Sequence, residues 1–180
     1  MPSNKRAEPE AEKRAQLIAA ARELFVRDGY ESTPMGRIAQ ASGVTPNTIY
    51  WYFEDKDELL LAVLDELFRE NLAEFRQVAG QPLARQMVWL VQKLQGFSRL
   101  ISTVHGRVGE SKALDQWHRQ FHRTVEQLFA AQLPGRMAKS SLAAEVRIAS
   151  FTIEGLVTHG VDEDAVRCTC EALAARWTLT

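Results

Sequence analysis

"TPMGRIAQASGVTPNTIYWYF", residues 33–53, decides the fold. It opens twice in the same way. Thr33 and Thr45 can each cap the free amides of a helix start, and Pro34 and Pro46 suit the first helical position. Met35, Ile38 and Ala39 mark the first helix, and "SG" at 42–43 stops it at Gly43. Ile49 and Phe53, four apart, give the second helix one apolar side. Two short helices joined by a turn with Gly form a helix-turn-helix, the unit that reads DNA with its second helix.

Four aromatics in a row, Tyr50 to Phe53, sharpen this reading. A helix turns about 100° per residue, so four consecutive side chains cannot share one core. With Ile49 and Phe53 turned inward beside Val44 and Ile38, the residues Asn47, Thr48, Tyr50, Trp51 and Tyr52 stay largely outside. Asn and Thr can read base edges, and tyrosine hydroxyls can bind phosphate oxygens. Lys56 stands at the next helix start, where amides and a positive charge favour a phosphate.

Working outward, the period stays helical and no strand pattern competes, which makes the chain all-α with about nine helices. A helix over 10–28 carries Leu17, Ile18, Ala21, Leu24 and Phe25, and Gly29 caps it. Asp55 and Glu58 fit a capping box for a fourth helix that runs to about Val78. One helix is expected after Pro82, through Met87, Leu94, Phe97 and Ile101. The next covers 111–132 with Leu114, Trp117, Phe121 and Leu128 inward, and "LPGR" (133–136) ends it. A final pair is expected over 141–159 and 163–177. The organisation expected is a charged, disordered arm at 1–9, a helix-turn-helix domain at 10–54, and a helical ligand-binding and dimerisation domain at 55–180.

The 180 residues carry a net charge of −1, so no chain-wide basic character points to nucleic acid. Residues 1–60 hold eight Lys/Arg against ten acids, so any basic surface must be local. No apolar run approaches the ~20 residues of a membrane span, and "MPSNKRAEPEAEKR" lacks the apolar stretch of a signal peptide. A cytoplasmic protein is expected. The cysteines, Cys168 and Cys170, have neither redox nor zinc spacing and read as packing residues. No nucleophile–base spacing or paired-acid motif suggests an enzyme.

The segment from Ala15 to Leu64 resembles the N-terminal domain of the TetR/AcrR family of transcriptional regulators. "YWYFEDKDELL" (50–60) matches the family's aromatic run followed by Phe, polar residues, Lys, an acid and Leu-Leu, and "RIAQASGVT" (37–45) matches before it. The resemblance implies a homodimeric regulator, usually a repressor, that binds a palindromic double-stranded operator and is released by a small-molecule effector. It places Thr45, Pro46, Asn47 and Thr48 at the opening of the recognition helix. Tyr50, Trp51, Tyr52 and Lys56 fall on backbone-contacting positions, with Thr33 and Arg37 on the supporting helix. Two departures stand out. Pro34 replaces a second threonine, and Gly36 stands where many members carry a longer polar side chain. The alternative is a helical small-ligand or metal-sensing protein without DNA binding.

Beyond residue 70 the match fades. The last helix pair is rich in small residues (Ala143, Ala144, Ala149, Ser150, Gly155, Cys168, Ala172, Ala174, Ala175), with apolar area from Val146, Ile153, Leu156, Val166 and Leu173. The resemblance implies that this pair makes the homodimer. Trp89, Phe97, His105, Trp117, Phe121, His122, Phe151 and Glu154 are candidates for lining an effector cavity between the middle helices. Asp115, His118, His122 and Glu126 share one helical stripe, and an HxxxH pair can bind zinc. With Arg119 and Arg123 beside it the stripe reads as a solvated polar face, and neither a metal nor a cofactor is assigned.

Overall fold

The computed structural model describes residues 7–133 and 138–178. The described helices are α1 (Ala7–Asp28), α2 (Met35–Ala41), α3 (Pro46–Ile49), α4 (Lys56–Val78), α5 (Leu83–Gln95), α6 (Ser98–Gly106), α7 (Lys112–Ala130), α8 (Lys139–Thr158) and α9 (Glu163–Thr178). No strand occurs among the described residues. None of their helices is long and apolar enough to cross a membrane.

Glycines end α1 and α2 by the same means. Gly29, at φ +88°, closes α1 with its amide on the Phe25 carbonyl. Gly43, at φ +67°, donates to Gln40 while Val44 donates back to Ala39, the paired bonds of a Schellman stop. Both positions need the left-handed backbone that only glycine adopts without strain. At the start of α3, Thr45 accepts the Thr48 amide and Pro46 holds the first helical position, as the sequence indicated.

Several local expectations are corrected. α1 already includes residues 7–9, which the sequence assigned to an arm; residues 1–6 lie outside those described. Thr33 does not cap α2. Pro34 is the N-cap, and the buried Thr33 hydroxyl donates to the Gly29 carbonyl at 2.8 Å. Asp55 caps α4 through the Glu58 amide, but the Glu58 carboxylate returns to the Glu54 amide rather than to that of Asp55. The helix expected after Pro82 breaks at Gly96–Phe97 into α5 and α6. In α7, Leu114 and Phe129 are the buried residues, whereas Trp117, Phe121 and Leu128 are half-buried. The stop expected at 133–136 falls mostly outside the described residues.

The chain divides into two compact units, one within Met1–Arg69 and Thr103–Asp115, the other within Glu70–Ser102 and Gln116–Thr180. In the first, α2 packs against α1 and α3. Leu17, Ala21 and Phe25 of α1, Ile38 and Ala39 of α2, and Ile49 are fully buried. Ala39 at the crossing lets the helices approach closely.

In the second unit, α5 packs against both α8 and α9. Their shared core joins Met87 and Val91 to Val146, Ala149, Ile153, Leu156 and Val157 of α8, and to Val166, Cys170, Leu173 and Trp177 of α9. Val146, Ile153, Leu156, Val166 and Leu173 therefore fill the chain's own core instead of supplying area for a second copy. Gln86, buried among them, donates from one amide nitrogen to the Ala79 and Gln81 carbonyls, which ties down the turn before α5.

Candidate nucleic-acid interface

The recognition element is shorter than its sequence suggests. α3 ends at Ile49, and the chain continues in a tight turn in which Trp51 donates to Thr48 and Tyr52 and Phe53 donate to Ile49. The inward and outward assignment survives this change. Ile49 and Phe53 are 0% and 1% exposed, whereas Tyr50 is 56% and Trp51 87% exposed. Tyr52 is half-buried.

Thr45, Pro46 and Asn47 are exposed at the mouth of α3, and Thr48 is half-buried. The Thr45 and Thr48 hydroxyls lie 2.8 Å apart and hold each other. This leaves the Asn47 amide and the Tyr50 and Trp51 rings as the outward face. Thr33, by contrast, is 0% exposed with its hydroxyl committed, so it supports the turn from inside and cannot touch DNA. Gly36 has open space around it: a Cβ built there meets no heavy atom within 4 Å.

The cations near this face have partners within the fold. Arg37 pairs with Asp28 at 2.6 Å, and Arg27 pairs with Asp28 and Glu23. Arg14 lies over the Phe53 ring. Lys56 donates to the Tyr30 carbonyl at 3.1 Å and sits 4.0 Å from the centre of the Tyr30 ring. It pins the first turn of α4 to the α1–α2 turn, a role that its helix-start position did not reveal.

Tyr30, Asp57 and Arg107 form a hydrogen-bonded cluster that sequence reasoning missed. The Tyr30 hydroxyl donates to one Asp57 oxygen, and the Arg107 guanidinium donates to the other at 2.9 Å. Arg107 also lies over the Tyr30 ring. Burial pushes the Asp57 carboxyl up, but the Tyr30 and Arg107 hydrogen bonds together outweigh it and hold the group below the ordinary carboxylate range. Burial, then the bond to Asp57, pushes the Tyr30 phenol up. The Asp57 bond raises Arg107 further, so the pair stays ionised at neutral pH. In the sequence Asp57 stands only as the acid after Lys56 in the 50–60 run, and Arg107 is assigned no role.

The candidate effector residues scatter. Trp89 packs on Phe75 and lines a groove of about 530 Å³ with Val78, Ala84, Val88, Arg167 and Glu171. Trp117 stacks on Phe121, and Phe121 meets His122 edge-on. Glu154 lies 3.4 Å from His122. Phe97 is half-buried and His105 exposed. Phe151 is 65% exposed on the outer side of α8, so it lines no cavity within this chain. Cys170 is buried, which pushes its thiol up to about 11, while Cys168 is exposed, so only Cys170 fills the core.

A family model for bacterial regulatory proteins of the tetR family matches residues 17–63. The HTH-type transcriptional regulator TtgR of Pseudomonas putida is 46% identical over 56 residues, 31% of this chain and 27% of that protein. The HTH-type transcriptional regulator TcmR of Streptomyces glaucescens is 35% identical over 132 residues, 70% of this chain and 51% of that one. The chain thus spans about half or less of the length of these two relatives. The crystal structure of a transcriptional regulator from a Rhodococcus species superposes with a TM-score of 0.78 at 18% identity, covering 91% of this chain and 95% of the other, and so shares the fold. The matched family is one of regulators, not enzymes. The segment 17–63, with the glycine stops, the capped α3 and the outward aromatics in place, belongs to the TetR/AcrR family.

Proposed function

We propose that the chain is a DNA-binding transcriptional regulator, a homodimeric repressor that holds a palindromic operator and is released by a small molecule in the cytoplasm. The observation that carries this is the pairing of a buried Ile49 and Phe53 with the exposed Tyr50 and Trp51 on one capped turn. Two adjacent large aromatics left in water on a capped turn suit a surface that a partner covers. Asn47 reads base edges, Thr45 and Thr48 position the turn, and Tyr50, Trp51 and Tyr52 face the sugar–phosphate backbone. The reading segment is 10–54, and the effector and dimer functions lie in 55–180.

The support for a dimer is the outer stripe of α8. Ala144, Ile148 and Phe151 recur at helical spacing on its exposed side, opposite the core residues Val146, Ala149 and Ile153. α9 likewise leaves Cys168, Ala172 and Ala175 exposed opposite Cys170 and Leu173. The groove beside Trp89 is the candidate effector site. α4 runs unbroken from Lys56 to Val78, a groove residue, so a ligand that tilts α4 would shift the recognition turn. Two half-sites must lie about 34–36 Å apart, or a multiple of that, so a modest shift weakens both contacts together.

A gel shift with the DNA upstream of the chain's own gene tests this. Binding that weakens steeply with salt is expected, as for any protein that displaces counterions from phosphates. Replacing Tyr50 with Phe should weaken it by a similar factor on every operator variant. No binding to that DNA or to neighbouring promoters at low salt would overturn the proposal.

A further inference from the structure

We propose that His118 and His122 form a binding site for a divalent transition-metal ion of the imidazole-favouring class, such as Cu²⁺ or Ni²⁺. The two residues stand one turn apart on α7, so their rings project from the same face. Their Nε2 atoms lie 2.9 Å apart, with ring centres at 4.4 Å and ring planes at 74°. Glu154 of α8 places a carboxylate oxygen 3.4 Å from Nδ1 of His122.

That carboxylate, at ion-pair distance, favours one tautomer. An ionised carboxylate only accepts hydrogen bonds, so it favours the proton on Nδ1 of His122 and leaves a lone pair on Nε2. This lone pair points at the Nε2 of His118. The contact closes in one of two ways: a proton on His118 bridges the nitrogens, or both lone pairs turn to a shared cation. The 2.9 Å spacing is ordinary for the first and suits the second as well. A metal about 2.0–2.1 Å from each nitrogen, with the nitrogens 2.9 Å apart, subtends an angle near 90°. A tetrahedral site would need roughly 3.3–3.4 Å between them at the same bond length. The pair therefore matches two adjacent positions of a square-planar or octahedral ion, the geometry of Cu²⁺ and Ni²⁺.

Glu154 then serves as the outer carboxylate that orients a ligating imidazole and raises its basicity. His122 and Glu154 are about a quarter and a third exposed, so water or a small ligand can reach the site. The spacing alone suggested a solvated polar stripe. Asp115, counted in that stripe, instead takes the Gly109 amide at 2.8 Å.

Calorimetric titration of CuCl₂ and NiCl₂ into the full chain, chelator-treated and free of any affinity tag, tests the site. One equivalent per chain is expected, tighter than about 100 µM. His118→Ala and His122→Ala should each weaken it by more than about tenfold, and Glu154→Gln by roughly tenfold, with the helical circular dichroism retained. His159→Ala and Cys168→Ser should leave it unchanged. Electron paramagnetic resonance of the Cu²⁺ form should show two coupled nitrogens in the wild type and one in either histidine variant. Binding that survives both histidine substitutions, that follows Cys168 or His159, or that shows no nitrogen coupling overturns the proposal. None of these readouts involves DNA, so the site stands or falls apart from the regulatory reading.

Discussion

Replacing Asp57 with Asn tests the bond network beneath the recognition turn. Asn keeps an oxygen for the Tyr30 hydroxyl but loses the charge that holds Arg107, and it turns an amide donor toward a guanidinium that also only donates. A hydrogen bond to a charged group contributes about 1.5–3 kcal/mol, and an acid in the first turn of a helix about 0.3–1 kcal/mol. The Asp57 and Arg107 side chains are only 18% and 25% exposed, so the solvent discount for surface pairs is small. Arg107 keeps two weaker partners, Glu31 at 3.8 Å and Glu110 at 3.6 Å, both mostly exposed, and these recover part of the loss. The expected net cost is about 2 kcal/mol at pH 7.

Urea unfolding as a function of pH reads both the magnitude and its origin. The Asp57 carboxyl titrates lower in the folded chain than in the unfolded one, so its contribution is fully present above the unfolded value of about 3.9. It is lost as pH falls through the depressed folded value. The gap between wild type and Asp57→Asn should therefore be constant from pH 5 to 7 and narrow below about pH 4. A gap under about 0.5 kcal/mol at pH 7, or one that widens on acidification, would refute the reasoning.

Gly36→Arg should stabilise the chain by about 0.5–1 kcal/mol in urea, since helical glycine is costly and the site is open. It should also tighten operator binding and steepen its salt dependence; a loss of stability would show that the space is not there. Thr33→Val leaves the Gly29 carbonyl without its donor and should cost about 1–2 kcal/mol, with operator affinity changed less than about twofold. A large affinity loss in a well-folded variant would restore Thr33 as a contact. Phe151→Glu should shift sedimentation equilibrium from dimer to monomer while helix content persists. A dimer that remains would place the interface elsewhere.

Much of the helix-turn-helix was legible because its signals are local. A glycine at the left-handed stop, a Thr-Pro start and an i, i+4 apolar pair each act within a few residues, as Gly43, Thr45–Pro46 and Ile49/Phe53 do. The break at Gly96–Phe97 left no such mark. Gly96 keeps a right-handed helical backbone (φ −61°, ψ −18°), and Leu94, Phe97 and Ile101 stay in phase across it. The tie between Tyr30, Asp57 and Arg107 spans 27 and 50 residues, which no periodicity encodes. α8 misled for a different reason. It is apolar on two sides, and composition alone does not tell which stripe, Val146–Ile153 or Ile148–Phe151, meets the chain's own core.

The local charge arrangement reconciles an acid-rich first sixty residues with the proposed operator binding. Arg37 is held out from α2 by Asp28, with side chains 41% and 24% exposed. A pair so exposed contributes little, so exchanging Asp28 for a phosphate sacrifices little. Lys56 is the opposite case. Its ammonium is engaged by the carbonyl and ring face of Tyr30, and its release would loosen the start of α4. Lys56 therefore works first as a structural pin and can reach phosphate only with the donors that the Tyr30 carbonyl leaves unused. The outward face is then carried by Asn47, Tyr50, Trp51 and an exchangeable Arg37. On the proposed reading, neutral amide, hydroxyl and indole groups make the contact there, and few fixed cations are needed. On that reading net charge conceals the proposed interface, while four aromatics in a row, of which the fold buries only Phe53 completely, point to it.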